Sequence, residues 1–546
     1  MNAHSPKLQN RLVLSLVVAF CVLVAWQLRF LTDDAFISFR YAQNLVLGHG
    51  LVWNPGEWVE GYTNLLWTLL IAVGIWVGRD PALWAELLGI SFFAINLLLV
   101  AGLGKALKLS PLAVLCAVLA TGLNYTFAAY ATGGLETALN SALISAIAYL
   151  AFTYEDSAHQ RSRALLLGFA ITLALFTRLD SVVIISVLLA GLFISCVAFR
   201  TSFGNLLLVV GIPAACLCFW TAIRLSVYGE WLPNTYFAKV SSSTSFLLGG
   251  TYLWTYLNSY LIFLPIALIA AARIRGGTLC HASSEFWKAA TLAATLLCWG
   301  IYLCLIGGDF MEFRFLVPAV PFMILLLLHL AEISSTSHRL TVSVVLLLLL
   351  GSAAHAHFFP RREGPSRVLC IPLLAAQVAD PTRGWKHVGL ELRKLFLGSP
   401  KPILAISAAG AIPYYSELPA IDMFGLTDAW IARHGLPMGS TPGHQRFATV
   451  EYLKSRHADL VIPFPRVLPS ADVTPGSIQA LLCSTPFFDV MLRQRSEFPE
   501  GARVIALPMG ADGALLAFQF FPHPAVDSLV ASGRARVFDV PEICGG

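Results

Sequence analysis

The sequence predicts a polytopic α-helical membrane protein that ends in a soluble α/β domain. Three observations lead there. Of 546 residues, 57% are hydrophobic and only 12% are charged, and the mean hydropathy is +0.72. A water-soluble chain carries about 25% charged residues, so lipid is the solvent for much of this one. Apolar runs of helical length then recur from residue 12 to residue 357, and from about Arg361 onward the composition turns to that of a soluble domain.

The apolar runs cover 12–30, 64–78, 83–104, 111–130, 134–153, 162–177, 181–199, 204–223, 251–272, 286–306, 315–333 and 340–357. The first follows Lys7 and Arg11 and precedes no small-residue cleavage site, so it reads as a retained helix rather than a signal peptide. Run 64–78 falls short of the roughly 20 residues an untilted span requires. It reads as a juxtamembrane or re-entrant helix, which leaves about eleven crossings. Lys105 and Lys108, Arg161 and Arg163, Arg200, Arg273 and Arg275, and Arg339 mark every second connection. The positive-inside rule puts those connections and the N-terminus in the cytoplasm. The chain thus divides into a membrane region, 1–359, whose first extracytoplasmic loop is 31–82, and an extracytoplasmic domain, 360–546. In that domain "PILAISA", "PAIDMFG", "ARVIALPMG" and "ALLAFQFF" read as strands, and "VEYLKSRHADLVI" as a helix leading into a strand.

The net charge of +5 contains no basic run long enough to follow a phosphate backbone, which excludes nucleic acid as a partner. Eleven cysteines show no metal-ligand spacing. Cys370, Cys483 and Cys544 fall in the soluble domain, where one disulfide is open to them. No Asp, Glu, Lys or Arg sits near the middle of a crossing, which disfavours an ion-coupled transporter.

The unusual polar sequence gathers in the extracytoplasmic loops. Asp33 and Asp34 open a helix through Leu47, with Asp33, Arg40 and Asn44 on one stripe and Ala35, Phe39, Ala42 and Val46 opposite. Thr32 or Asp33 would cap such a helix, yet capping needs one acid and two are present. A carboxylate there would take a hydroxyl proton, or the pair would hold a divalent metal. "GHGLVWNPGEWVEGYTN" follows, with Trp53, Trp58, Tyr62 and Trp67 as flat faces and His49, Asn54, Glu57, Glu60 and Asn64 as hydrogen-bonding groups. The set suits a polyol, although aromatics at a membrane boundary also form interfacial belts. Glu136 stands at a helix start; Arg178 and Asp180 make either a local ion pair or a site. Arg224, Asn234, Tyr236 and Lys239 share one loop, and Asp309 and Arg314 another. Cations there would hold a phosphate or snorkel to headgroups.

The stretch "DDAFISFRYAQNLVLGHGLVWNPGEWVEGYTNLLW" resembles the GT-C superfamily of polyprenyl-phosphate-sugar-dependent glycosyltransferases, nearest the mycobacterial terminal arabinofuranosyltransferase type and its Gram-negative relatives. "TGGLETAL", "PNTYFAK", "GGDFMEFRF" and "GAIPYYSELPAIDMFGLTD" add to the likeness, which continues through "HGLPMGSTPGH". The resemblance implies a GT-C-like fold in a bacterial cytoplasmic (inner) membrane with the active site on the periplasmic side. It also implies transfer of a sugar, D-arabinofuranose by the nearest type, from a polyprenyl-phosphate carrier to a cell-envelope glycan or a surface protein such as pilin. Asp33 or Asp34 would be the base, or would hold a metal or the sugar, and Arg224 and Lys239 would bind the phosphate. A flippase of a lipid-linked sugar and a non-catalytic glycan-binding protein are the competing readings.

Overall fold

The computed structural model describes residues 6–154, 159–198, 203–239, 246–276, 286–335, 337–361, 368–398, 400–439, 443–511 and 513–541. The membrane region runs α1 (Pro6–Gln27), α2 (Asp33–Val46), α3 (Leu65–Trp76), α4 (Pro81–Ala106), α5 (Pro111–Gly122), α6 (Tyr125–Ala129), α7 (Thr137–Phe152) and α8 (Gln160–Thr177). It continues with α9 (Val182–Ala198), α10 (Leu206–Tyr228), α11 (Asn234–Lys239), α12 (Phe246–Ser259), α13 (Phe263–Gly276), α14 (Phe286–Ile306), α15 (Val320–Ser334) and α16 (His338–Phe358). Local sequence sets the starts. Asp80 accepts a hydrogen bond from Leu83 N–H ahead of Pro81, and Ser110 accepts one from Ala113 N–H ahead of Pro111.

Among the described residues, six helices are long and apolar enough to cross a bilayer, or seven if α12 and α13 form one span. Eleven were expected. Four expected runs make the difference: Arg11–Gln27, α5 and α7 are shorter than a bilayer is thick, and α8, 18 residues long with Arg161 and Arg163 in its first turn, is not among the spanning helices. Two expected crossings are broken. Run 251–272 bends by 71° between α12 and α13, where Leu261 takes φ +53° and the Tyr260 ring stacks on His355 at 4.2 Å. Run 111–130 breaks where Asn124 caps α6 through Phe127 N–H. At 12 residues, α3 is far too short to span alone, in keeping with its juxtamembrane reading.

The C-terminal region begins with α17 (Ile371–Ala379) and α18 (Trp385–Leu395). Then come β1 (Leu404–Ile406), α19 (Ala411–Ser416), β2 (Ala420–Asp422), β3 (Leu436–Pro437), β4 (Arg446–Phe447), β5 (Leu460–Ile462), β6 (Val467–Pro469), β7 (Arg503–Met509), β8 (Gly513–Gln519) and β9 (Arg536–Phe538). The main sheet has the order β2-β1-β5-β8-β7-β9, with β6 also on β8, and β3 pairs with β4 separately. Strand β1 is parallel to β2 and β5, and the remaining pairs are antiparallel. Every residue of β1, β2 and β5 is buried, as expected of parallel strands covered on both faces. Cys483 is disulfide-bonded and Cys370 is a buried free thiol; Cys544 lies outside the described residues.

The first loop belongs as much to this sheet as to the membrane region. Ile37, Tyr41, Trp53, Tyr62 and Leu65 share one buried core with Leu404, Ile406, Leu460, Ile505 and Leu515. Trp53, Tyr62 and Trp67 are buried, and Trp58 alone of the four expected sugar-facing rings is exposed. Trp53 and Tyr62 bury their apolar surface against the sheet and Trp67 buries its own among the membrane helices; the three are core rather than a polyol platform or an interfacial belt.

Candidate functional site

The five polar stretches meet at one end of the helical bundle, against the C-terminal domain, and helix α2 shows how their side chains divide. Arg40 Nε donates to Trp53 O at 2.8 Å, Nη1 to Pro413 O at 2.8 Å, and Nη2 to Asn54 Oδ1 at 2.9 Å and Leu418 O at 3.1 Å. Its guanidinium also lies 4.5 Å from the centre of the Trp53 ring. Asn44 Nδ2 donates to Val52 O and Trp53 O. The donors of Arg40 and Asn44 on the expected polar stripe are therefore spent on protein carbonyls and an amide oxygen rather than left for a ligand. Their role is to seal the seam between loop and sheet, because buried carbonyls need donors.

The two adjacent acids separate as well. Asp33 Oδ1 accepts from Ala411 N–H at 2.7 Å and Oδ2 from Gly410 N–H at 3.1 Å, so it engages the start of α19. Glycine is required at 410: a Cβ there would stand 1.9 Å from Asp33 O. Burial pushes the Asp33 carboxyl up to about 7 against the pull of those two N–H groups, with Asp34 adding repulsion. Asp34 makes no hydrogen bond among the described residues and lies within electrostatic reach of Lys239 and Arg314.

Those two cations line a cavity of about 420 Å³ together with Arg178, Asp180, Asp309, Tyr236, Thr235, Tyr302, Phe315 and Gln445. Arg314 Nε donates to Asp309 at 2.8 Å. Arg178 donates to Glu136 at 2.9 Å and forks onto both oxygens of Asp180. Both guanidinium groups pack on the Phe315 ring, 4.7 and 5.1 Å from its centre, so one aromatic spaces two fixed positive charges. Asn64, buried, donates to Glu136 at 2.9 Å, linking the first loop to this network. Lys239 makes no ion pair among the described residues. A tethered pair of arginines and an unpaired lysine beside a carboxylate form a site for an anion that must be held and released.

Other expected site residues sit elsewhere. Arg224, expected to bind the phosphate, is instead buried in an ion pair with Glu60, donates to Trp231 O, and does not line the cavity that holds Lys239 and Arg314. Tyr62 hydrogen-bonds Tyr228 at 3.1 Å, Asn54 donates to Ala420 O at 2.7 Å, and Asn234 donates to Gly425 O and Leu426 O. These fasten the loops to the sheet. His49 is exposed beyond α2. Thr235 and Gln445 were not foreseen. Thr235 lies inside "PNTYFAK" and Gln445 directly after "HGLPMGSTPGH", so the signal was their place in the stretches of likeness. Among the described residues no three His, Cys, Asp or Glu converge as a metal cluster.

Comparison with known proteins agrees with this architecture. A model described as "Domain of unknown function (DUF8728)" matches residues 383–513. Terminal beta-(1->2)-arabinofuranosyltransferase of Mycobacterium tuberculosis is 27% identical over 259 residues, 45% of this chain and 40% of the relative. Its namesake of Corynebacterium glutamicum is 28% identical over 334 residues, 55% and 47% respectively. The matched part thus spans less than half the length of each. ArnT from Cupriavidus metallidurans, in the apo state, superposes with a TM-score of 0.51 at 14% identity, covering 94% of this chain and 98% of that one. The same protein bound to undecaprenyl phosphate gives 0.50 at 13% identity, covering 93% and 97%.

Proposed function

We propose that this chain, which has the GT-C fold and belongs with that superfamily, is a glycosyltransferase moving a sugar from a polyprenyl-phosphate carrier to an extracytoplasmic acceptor. The convergence of Arg178, Lys239 and Arg314 on one cavity beside Asp34 carries the reading. In the transfer, the bond from the anomeric carbon to the carrier's phosphate oxygen breaks. The acceptor oxygen bonds to that carbon, and the hydroxyl proton passes to the Asp34 carboxylate. Lys239, with the two arginines, balances the charge left on the departing polyprenyl phosphate. The helices seat the lipid tail, and the domain after residue 360 faces the acceptor outside the membrane.

The relatives' names favour D-arabinofuranose as the sugar, and the undecaprenyl phosphate bound by the structural neighbour supports a phospholipid carrier. A cell-envelope glycan or a surface protein such as pilin is the acceptor class. Asp34 is the base in preference to Asp33, whose oxygens already accept two backbone N–H groups. The test is transfer from defined polyprenyl-phosphate sugars by purified, reconstituted protein. Wild type should transfer and Asp34→Asn should not; equal activity in the two would remove Asp34 from the reaction.

A further inference from the structure

Two buried polar atoms in the cavity have no partner. Thr235 is 5% exposed and Gln445 4% exposed, both line the cavity, and Thr235 Oγ1 and Gln445 Oε1 have no hydrogen-bond partner among the described residues. Buried polar atoms are satisfied in the great majority of cases, so two orphans in one cavity need a common explanation.

Neither atom is loosely held. Thr235 is the second residue of α11, whose neighbour Asn234 is fixed by three carbonyls of the C-terminal domain. Gln445 O accepts from Met438 N–H at 2.9 Å, and the preceding His444 ring lies 4.9 Å from Phe310 and 4.5 Å from Phe424. The segment is thus seated on the 307–315 loop, and the backbone that carries each of the two side chains is fixed.

Their chemistry narrows the ligand. A carboxamide oxygen only accepts, so its partner must carry a proton, which an ionised phosphate lacks. A threonine hydroxyl both donates and accepts. The cations of the same cavity serve the phosphate; these two neutral groups suit a hydroxyl. We propose that Thr235 and Gln445 form the subsite that reads a hydroxyl of the transferred sugar, so that the C-terminal domain completes the donor compartment and helps set donor choice. This rests on the function proposed above.

The test compares polyprenyl-phospho-arabinofuranose with its 2-, 3- and 5-deoxy analogues, in wild type, Thr235→Val and Gln445→Leu. Wild type should lose about 10- to 100-fold in kcat/KM with one deoxy donor, the range for leaving a buried partner unmade. Each variant should lose a similar factor with the full donor and little with that deoxy donor, bringing the ratio toward one. Thr235→Ser, which keeps the hydroxyl, should preserve the wild-type ratio. Equal use of all four donors by wild type overturns the inference while leaving the proposed transfer intact, as does undiminished selectivity in the variants. Failure of wild type to transfer from any donor removes the proposed function, and this inference with it.

Discussion

Two cavities of about 420 Å³ open along the seam between the membrane region and the sheet, and both are lined by arginines and acids. In the second, bounded by Arg40, Asn54, Glu57, Glu417, Ile421 and Arg456, the guanidinium groups are satisfied. Arg40 faces three carbonyls and an amide. Arg456 pairs with Glu57 and Asp428 and donates to the Tyr452 hydroxyl. In the first, among the described residues, Lys239 has no ion pair, and Thr235 and Gln445 keep unpartnered oxygens. Volume and charge do not separate the two. Unsatisfied hydrogen-bonding capacity among the lining residues does, since a buried polar group left open in a cavity is one a ligand can close.

The largest test of that contrast is Asp34→Asn, which should lower kcat by about 10²- to 10⁴-fold with Tm unchanged in a thermal melt. Retained activity would leave the first cavity with no reacting residue beside it, and the two would become equivalent. Next, Arg40→Met should destabilise by about 2–4 kcal/mol, because it strands buried carbonyls without a donor. Calorimetry in detergent should show the lower Tm, with the donor KM of the folded fraction unaltered. Lys239→Met should do the reverse and raise the donor KM about 10- to 100-fold without moving Tm. A matched rise in Arg456→Met would erase the distinction.

The smallest effect is a pH slope. The Asp33 carboxyl titrates near 7 in the folded chain and Asp422, also raised by burial, near 6, against about 3.9 unfolded. Over that window the folded state binds more protons, so their contribution to stability falls as pH rises from about 4 to about 7 and is flat above. Asp33→Asn should remove part of this slope in Tm against pH. An unchanged slope would show that Asp33 is already ionised against Gly410 and Ala411.

Much of this was legible in one dimension. Apolar runs mark the helices, and Asp34, Arg178, Lys239, Asp309 and Arg314 all stand in the polar stretches between them. What could not be read was which polar groups find partners. Arg40, Asn54 and Asn234 looked like ligands because their carbonyl acceptors lie on Pro413, Leu418, Ala420 and Gly425, between 191 and 378 residues away. Arg224 looked free because nothing local predicts its buried pairing with Glu60. Trp53 and Tyr62 looked exposed because the sheet that covers them follows in the last third of the chain. Gln445 escaped notice for the opposite reason: its neighbours explain nothing, and only the emptiness around its oxygen does.

The core that joins the first loop to the final sheet also imposes a schedule on biosynthesis. Arg40 leaves the ribosome 373 residues before Pro413, whose carbonyl it donates to. At about 5–20 residues per second this is a wait of roughly 20–75 s. Through that interval Trp53 and Tyr62 lack the strands that later enclose them. A nascent chain in this state needs shelter from a holdase or from the lipid surface, and one halted before the sheet is made becomes a substrate for quality-control proteases.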